Sequence, residues 1–560
     1  MEFSHETRDK TLRTLQQKQW ELLIIGGGVT GAGLALHAAA RGIDVALVEM
    51  QDFAAGASSR SSKLVHGGLR YLKQFDVKLV ADVARERNVI GRNAPHIAQP
   101  DYMLMPVYDE EGASFDTFSA EVALHLYDYL AEVDETWAHY MVEHDRVLEE
   151  EPALNSEQLK AGGFYLDYTN DDARLTIETI KKAHEMGAAI VNYVKAEAFH
   201  YSEDGQINGI SGQNTLNGES FEIRADVVVN ATGPWSDETR KQGKRETEKK
   251  MFPTKGVHFV VDHDKLPVKR TIYTDTGQQD NRMFFIIPRG DKTYFGTTDT
   301  PFEGTYEEPS ITREDVDYLL KAVNHRFPSA NLKLKDIESS WAGLRPLIQD
   351  EDNSDPSGIS RGHEVFTEED GLITIAGGKL TDYRRMAEDT FEVIDQAFET
   401  YGKTFKEVDT KIIPLSGGDV PDPSAFADFV SEQAKQGIKI GLSEADAAFL
   451  ADWYGSNVTD LFNLSEEAKT YDLPLKEALQ LAYSLKYEMV LAPADFFNRR
   501  TGMLFFNIRQ IEKLKQPVLD ILSERLGWDS QTRDNWEGEL NARMQEAALS
   551  DLKKETSALK

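Results

Sequence analysis

Cysteine is absent from all 560 residues. That excludes disulfides, thiolate nucleophiles, iron–sulfur clusters and cysteine-ligated zinc, and no metal site is expected from what remains. Positive charge is scarce as well: 62 lysines and arginines stand against 95 acidic residues, a formal balance of −33. Nucleic-acid phosphates and anionic membrane surfaces would be repelled. An anionic substrate would need a local cluster of cations. Met1 to Trp20 is charged and rich in glutamine, without the apolar core or small-residue cleavage site of a secretory signal. Internal repeats and low-complexity runs are missing too. The expectation is a cytoplasmic protein of two or three domains without stable membrane insertion, with oligomerisation left open.

One long uncharged run is present, LLIIGGGVTGAGLALHAAA at 22–40, and its length would permit a membrane span. Its composition splits it instead. ELLII is a short aliphatic segment of the kind that forms a buried strand, GGGVTG turns the chain, and AGLALHAAAR is a helix closed by Gly42. Gly26-x-Gly28-x-x-Gly31 has dinucleotide-binding spacing: the first glycine makes the tight turn, the second admits a pyrophosphate, and the third packs helix on strand. The helix N-terminus then offers free N–H groups and a positive dipole end to the phosphates. A second strand, IDVALVE, ends in Glu49, an acid placed to accept from ribose hydroxyls.

NAD and FAD share the adenosine half, so the motif alone does not choose between them. The segment after Glu49 favours flavin. GASSRSSKLVHGGLRYL (56–72) is dense in small residues, hydroxyls and cations, through Ser58, Ser59, Arg60, Ser61, Gly67 and Gly68. It suits a backbone lying along an extended cofactor; its alternative is a solvated loop. Farther on, ADVVVNATGPW places Thr232 and Gly233 in a small-residue turn after a buried strand. GLITIAGGKLTDYRRMAE repeats the strand, Gly-Gly turn and helix, with Gly378, Lys379, Leu380 and Thr381 at the turn. The cofactor would be clamped between distant segments.

SSRSSKLVHGGLRYL, NATGPW, GLRP at 343–346, SRG at 360–362 and GGKLTDYRRMAE together resemble the FAD-dependent glycerol-3-phosphate dehydrogenases. The overall run of the chain is most similar to the bacterial alpha-glycerophosphate oxidases of that family. The resemblance implies an α/β plus α architecture: a discontinuous FAD-binding Rossmann-like domain of glutathione-reductase type, a mixed-sheet substrate domain and a helical C-terminal cap. The expected division is an N-terminal tail at 1–17, cofactor segments at 18–95, 175–245 and 335–400, substrate segments at 96–174 and 246–334, and the cap at 405–560. The resemblance also implies sn-glycerol 3-phosphate as substrate, dihydroxyacetone phosphate as product, and O2 or a membrane quinone as electron acceptor. One departure stands out: such oxidases commonly carry an insertion after GLRP, where only the acidic loop 349–358 stands here, either a natural short form or an engineered removal.

Oxidising a secondary alcohol needs a base, charge-stabilising donors and, for this substrate, a phosphate clamp. Arginine's fork suits phosphate oxygens. By resemblance Arg345 and Arg361 match the family's phosphate-binding arginines, and Arg70 is the next cation expected to face the site. The candidates for the base are His258 and His66, with neither of them as the remaining alternative. In TKGVHFVVD, Val257, Phe259 and Val261 share one strand face, so His258 points the other way. His66 sits beside two glycines and closer to the flavin. Lys379, at the start of a helix where a cation is disfavoured, would favour reduced flavin. The pair 283–300 reads as a hairpin turning at PRGD, with no catalytic residue assigned. Arg499 and Arg500 are expected to pair with acids of their own domain, and KKETSALK to be a loose tail.

Overall fold

The computed structural model describes residues 1–74, 76–243, 251–349 and 362–558. Two sheets organise the chain. In the first, the strand order runs His363–Thr367, Ile373–Gly377, Ser220–Asn230, Gln19–Ile25, Val45–Val48 and Ala189–Val191. Gln19–Ile25 pairs in parallel with both neighbours, Leu22 lying opposite Val45 on one side and Val227 on the other. The aliphatic run of this central strand is buried on both faces, as parallel sheets require. Leu22 and Ile24 pack beneath helices Val29–Arg41, Asp172–Glu185 and Tyr383–Thr400, with Leu34, Ile177 and Phe391. Leu23 and Ile25 pack on the opposite face with Val228, Phe199 and Phe221. The period-two alternation of the strand thus divides its residues between two cores.

The second sheet has ten strands and is mixed. Ile272–Asp275 runs parallel to Gln99–Tyr108, whereas the remaining pairs are antiparallel. Met283–Arg289 and Lys292–Gly296 form the expected hairpin, with Arg289 opposite Lys292. Val257, Phe259 and Val261 face a core shared with helix Arg313–Arg326, while His258 is turned to the opposite face. Strand Ile337–Ile348, grouped above with the cofactor segments, pairs instead along Met251–Asp262, and Leu64–Val65 also joins this second sheet.

Beyond residue 426 the chain is helical, and Glu444–Tyr454 is capped by Ser443, whose hydroxyl accepts from the Asp446 amide. Both chain ends differ from the tails expected of them. His5–Leu15 is a helix with a Ser4–Thr7 capping box, and Phe3 is tied by backbone hydrogen bonds to Lys486 and Met489. This polar segment hides three buried apolar residues, Phe3, Leu12 and Leu15, beside the buried Ser4 and Arg8. Ser550–Ala558 is helical too, with Lys553 Nζ donating to the Ile337 carbonyl at 2.7 Å. Among the described residues no helix is long and apolar enough to cross a membrane. The run 22–40 is a strand, a turn and a helix, so the spanning alternative falls.

Candidate active site

A cavity of about 360 Å3 opens where the two sheets meet. One end is made of backbone. Gly26 has φ +114°, and a Cβ there would stand 2.5 Å from the Ala231 carbonyl oxygen. A Cβ on Gly31 would collide with the Gly26 carbonyl oxygen, so Gly31 packs turn against helix and lies behind the wall. Gly28 precedes helix Val29–Arg41, whose first amide donates to Ser58 Oγ at 3.0 Å. Glu49 follows the second strand, and its carboxylate accepts from the Gly27 and Gln51 amides at 2.7 and 2.8 Å. Burial pushes its pKa up against those two hydrogen bonds. Thr232 and Gly233 close this end from the neighbouring strand.

The opposite end is made of side chains. Register places His258 opposite Trp341 and Gly256 opposite Gly343, with Arg345 two residues farther along the same strand. A Cβ on Gly256 would lie 2.6 Å from both Arg345 Nη2 and Thr297 Oγ1; its absence makes room for the guanidinium. Arg345 donates to Asp299 Oδ1 at 3.1 Å, Thr297 Oγ1 at 3.2 Å and the Thr298 carbonyl at 3.1 Å. His258 stacks on Trp341 at 4.9 Å, its Nε2 lies 2.9 Å from Ser62 Oγ, and its buried Nδ1 has no hydrogen-bond partner among the described residues. Burial first, then Arg345 and Lys63, hold its pKa well below the ordinary value, so the ring is neutral.

Lys379 also lines the cavity. It precedes a short 3-10 turn, Leu380–Asp382, and helix Tyr383–Thr400 begins only after that, so Lys379 is not in the helix's first turn. Its ammonium lies 3.9 Å above the Tyr71 ring, a cation–π contact. Gly378, Leu380 and Thr381 line the cavity, as do Arg60, Ser61 and His66. Arg60 is held down to about 10 by burial and by Arg543. Ser59 and the Gly67–Gly68 pair sit behind the wall. Gly67 donates its amide to Tyr127 OH at 2.8 Å, and the Ser59 carbonyl accepts from Lys63 Nζ at 3.2 Å. Arg361 and the acidic loop, apart from Gln349, lie outside the described residues, as does the side chain of Arg70.

Among the wall residues not singled out by sequence are Ser62, Thr297 and Trp235. Ser62 belongs to the SSRSS run and Trp235 to NATGPW, so both had a local signal. Thr297 had none, because only strand pairing brings FGTTDT beside Arg345. Arg499 and Arg500 do not pair only within their own domain. Arg499 bonds Asp495, but both also bond Asp52 beside the nucleotide end.

The glycine cradle admits a pyrophosphate, the acid after the second strand suits a ribose, and the cavity continues past them to an imidazole and a guanidinium. These residues fit FAD, and the class they define is an FAD-dependent oxidoreductase. Residues 21–384 match the family model described as FAD dependent oxidoreductase, and residues 408–533 match the C-terminal domain of alpha-glycerophosphate oxidase. The alpha-glycerophosphate oxidase of Streptococcus pyogenes serotype M3 is 45% identical, covering 99% of each chain. The aerobic glycerol-3-phosphate dehydrogenase of Bacillus subtilis is 46% identical over 98% of this chain and 99% of that one. The crystal structure of the Bacillus halodurans glycerol-3-phosphate dehydrogenase complexed with FAD superposes with TM-score 0.83 at 40% identity, covering 97% and 98% of the two chains. The chain belongs to the alpha-glycerophosphate oxidase family, and FAD is its cofactor.

Proposed function

We propose that this protein oxidises sn-glycerol 3-phosphate to dihydroxyacetone phosphate in the cytoplasm and passes the electrons to O2. FAD supplies the hydride acceptor and, once reduced, two electrons that leave with O2 as hydrogen peroxide. The observation that carries the reading is that Arg345 and His258 open into the cavity that the glycine turn also lines.

Arg345 holds the phosphate. Asp299 and Thr297 fix its fork, so little orientational freedom is lost when a dianion binds. His258 takes the hydroxyl proton, with Ser62 at Nε2 and the Trp341 ring fixing the imidazole plane. Arg345 depresses the basicity of His258 in the free protein, and a phosphate dianion at Arg345 offsets that charge. Substrate therefore makes His258 a better base on arrival. Lys379 adds positive charge that favours electron gain beside it.

A second reading, with a quinone as acceptor, has one observation in its favour. The match to the streptococcal oxidase runs over 608 positions, more than this chain contains, whereas the match to the Bacillus subtilis dehydrogenase runs over 553. The shorter form is thus shared with a protein named as a dehydrogenase. An oxygen-electrode trace decides between them. The oxidase consumes O2 on addition of glycerol 3-phosphate and returns half of it on addition of catalase. Flavin that bleaches and stays reduced in air would instead point to a quinone.

A further inference from the structure

A large set of buried charges outside the reaction centre lies behind the nucleotide end. Asp52 accepts from Arg499 Nε at 2.5 Å, from Arg500 Nη1 and Nη2 at 2.8 and 2.9 Å, and from Asn192 Nδ2 at 3.2 Å. Arg499 also bonds Asp495 at 2.6 Å, and Asp495 accepts from Tyr193 OH at 2.7 Å. Farther back, Arg174 joins Glu488 and Glu178, and Lys181 joins Glu178 at 2.7 Å. Four carboxylates thus meet four cations, none of these side chains more than 5% exposed. Burial pushes the Asp52 pKa up, yet Arg500 and Arg499 hold it at about 2.

A buried ionic cluster stabilises less than apolar packing of the same volume, and its best-attested use is to impose one arrangement. Here the arrangement belongs to a single short loop. Glu49, Met50 and Gln51 line the cavity on one side of Asp52 and Ala55 does so on the other, while Asp52 itself sits behind the wall. The loop is also tied by backbone bonds, among them the Val194 amide to the Glu49 carbonyl at 2.7 Å, the Tyr193 amide to the Gln51 carbonyl at 2.8 Å and the Ala54 amide to the Gly27 carbonyl at 3.1 Å. Arg499 and Arg500 come from the segment Asp495–Arg500, more than 440 positions away in sequence.

We propose that the helical C-terminal domain acts as a cofactor-retention clamp, in which Arg499 and Arg500, through the positioning residue Asp52, hold the 49–55 loop in the shape that takes the adenosine end of FAD. The proposal rests on FAD as cofactor and not on the identity of the substrate.

The test uses the purified holoenzyme with Asp52→Asn or Arg499→Lys, following FAD release on dilution by the rise in free-flavin fluorescence. The expected result for Asp52→Asn is a rise of at least tenfold in the FAD dissociation constant. For Arg499→Lys, which keeps charge but loses the fork, the expected rise is smaller. At saturating FAD, kcat and the KM for glycerol 3-phosphate stay within twofold of wild type. A folded Asp52→Asn protein that holds FAD as tightly as wild type overturns the proposal. So does failure of both variants to fold in excess FAD, which would make the cluster a folding element only. A wild-type protein that binds FAD but does not oxidise glycerol 3-phosphate sinks the substrate reading and leaves this clamp standing.

Discussion

At the nucleotide end the cavity wall is mostly backbone, drawn from the strand–turn–helix around Gly26 and the adjoining turn at Thr232–Gly233. At the substrate end it is mostly side chains, His258 and Arg345 on two paired strands of a different sheet and Thr297 just past the end of a third. The first end depends on missing Cβ atoms and on amides that a helix leaves unpaired. The second depends on register, because a one-residue slip would turn His258 and Arg345 away from the cavity. Binding a shared cofactor half and recognising a particular alcohol are thus assigned to two kinds of construction, and mutations at the two ends fail differently.

Gly31→Ala attacks the first end and has the largest expected effect. The added Cβ meets the Gly26 carbonyl, which has no rotamer to escape by. The cost is about 3 kcal/mol or more, and the protein purifies without yellow colour. His258→Gln attacks the second end. It removes the proposed proton acceptor while leaving FAD bound, so kcat is expected to fall by about 10^3-fold, read as the anaerobic rate of flavin bleaching. A variant that loses flavin instead would erase the division between the ends.

The pH profile sharpens the same comparison. His258 works as a base only when neutral, and its pKa lies below the ordinary histidine value. The acid limb of kcat/KM therefore falls below about pH 6.5, with activity lost as pH drops through the depressed value. In Arg345→Gln that limb moves upward, because one of the charges holding the ring neutral is gone. Stability follows the same sign: the unfolded chain takes up a proton that the buried ring refuses, so stability declines as pH falls below about 6.5. Ser62→Ala is the mildest change. Losing the partner of Nε2 costs about 1 kcal/mol, a roughly fivefold fall in kcat with FAD affinity unchanged.

What the sequence disclosed follows the same division. The Gly26–Gly31 turn, Glu49 and the hairpin turning at PRGD are local, so spacing and residue type announce them. The orientation of His258 followed from strand alternation alone. Thr297 was invisible because its partner Arg345 is 48 positions away and meets it only through two strand pairings. The Asp52–Arg500 bond spans 448 positions, which no local pattern encodes. The opening helix was hidden for another reason: its burial comes from a few apolar residues scattered through a polar segment.

The most direct test is anaerobic stopped-flow titration of Arg345→Ala holoenzyme with glycerol 3-phosphate, beside wild type. The account predicts FAD bound as in wild type and a fall of about 10^3-fold in the second-order rate of bleaching, since truncating a charge-assisted clamp costs several kcal/mol. It further predicts that unphosphorylated glycerol reduces both proteins at the same slow rate. Bleaching of Arg345→Ala by glycerol 3-phosphate at the wild-type rate would contradict the assignment of this end of the cavity to the phosphate.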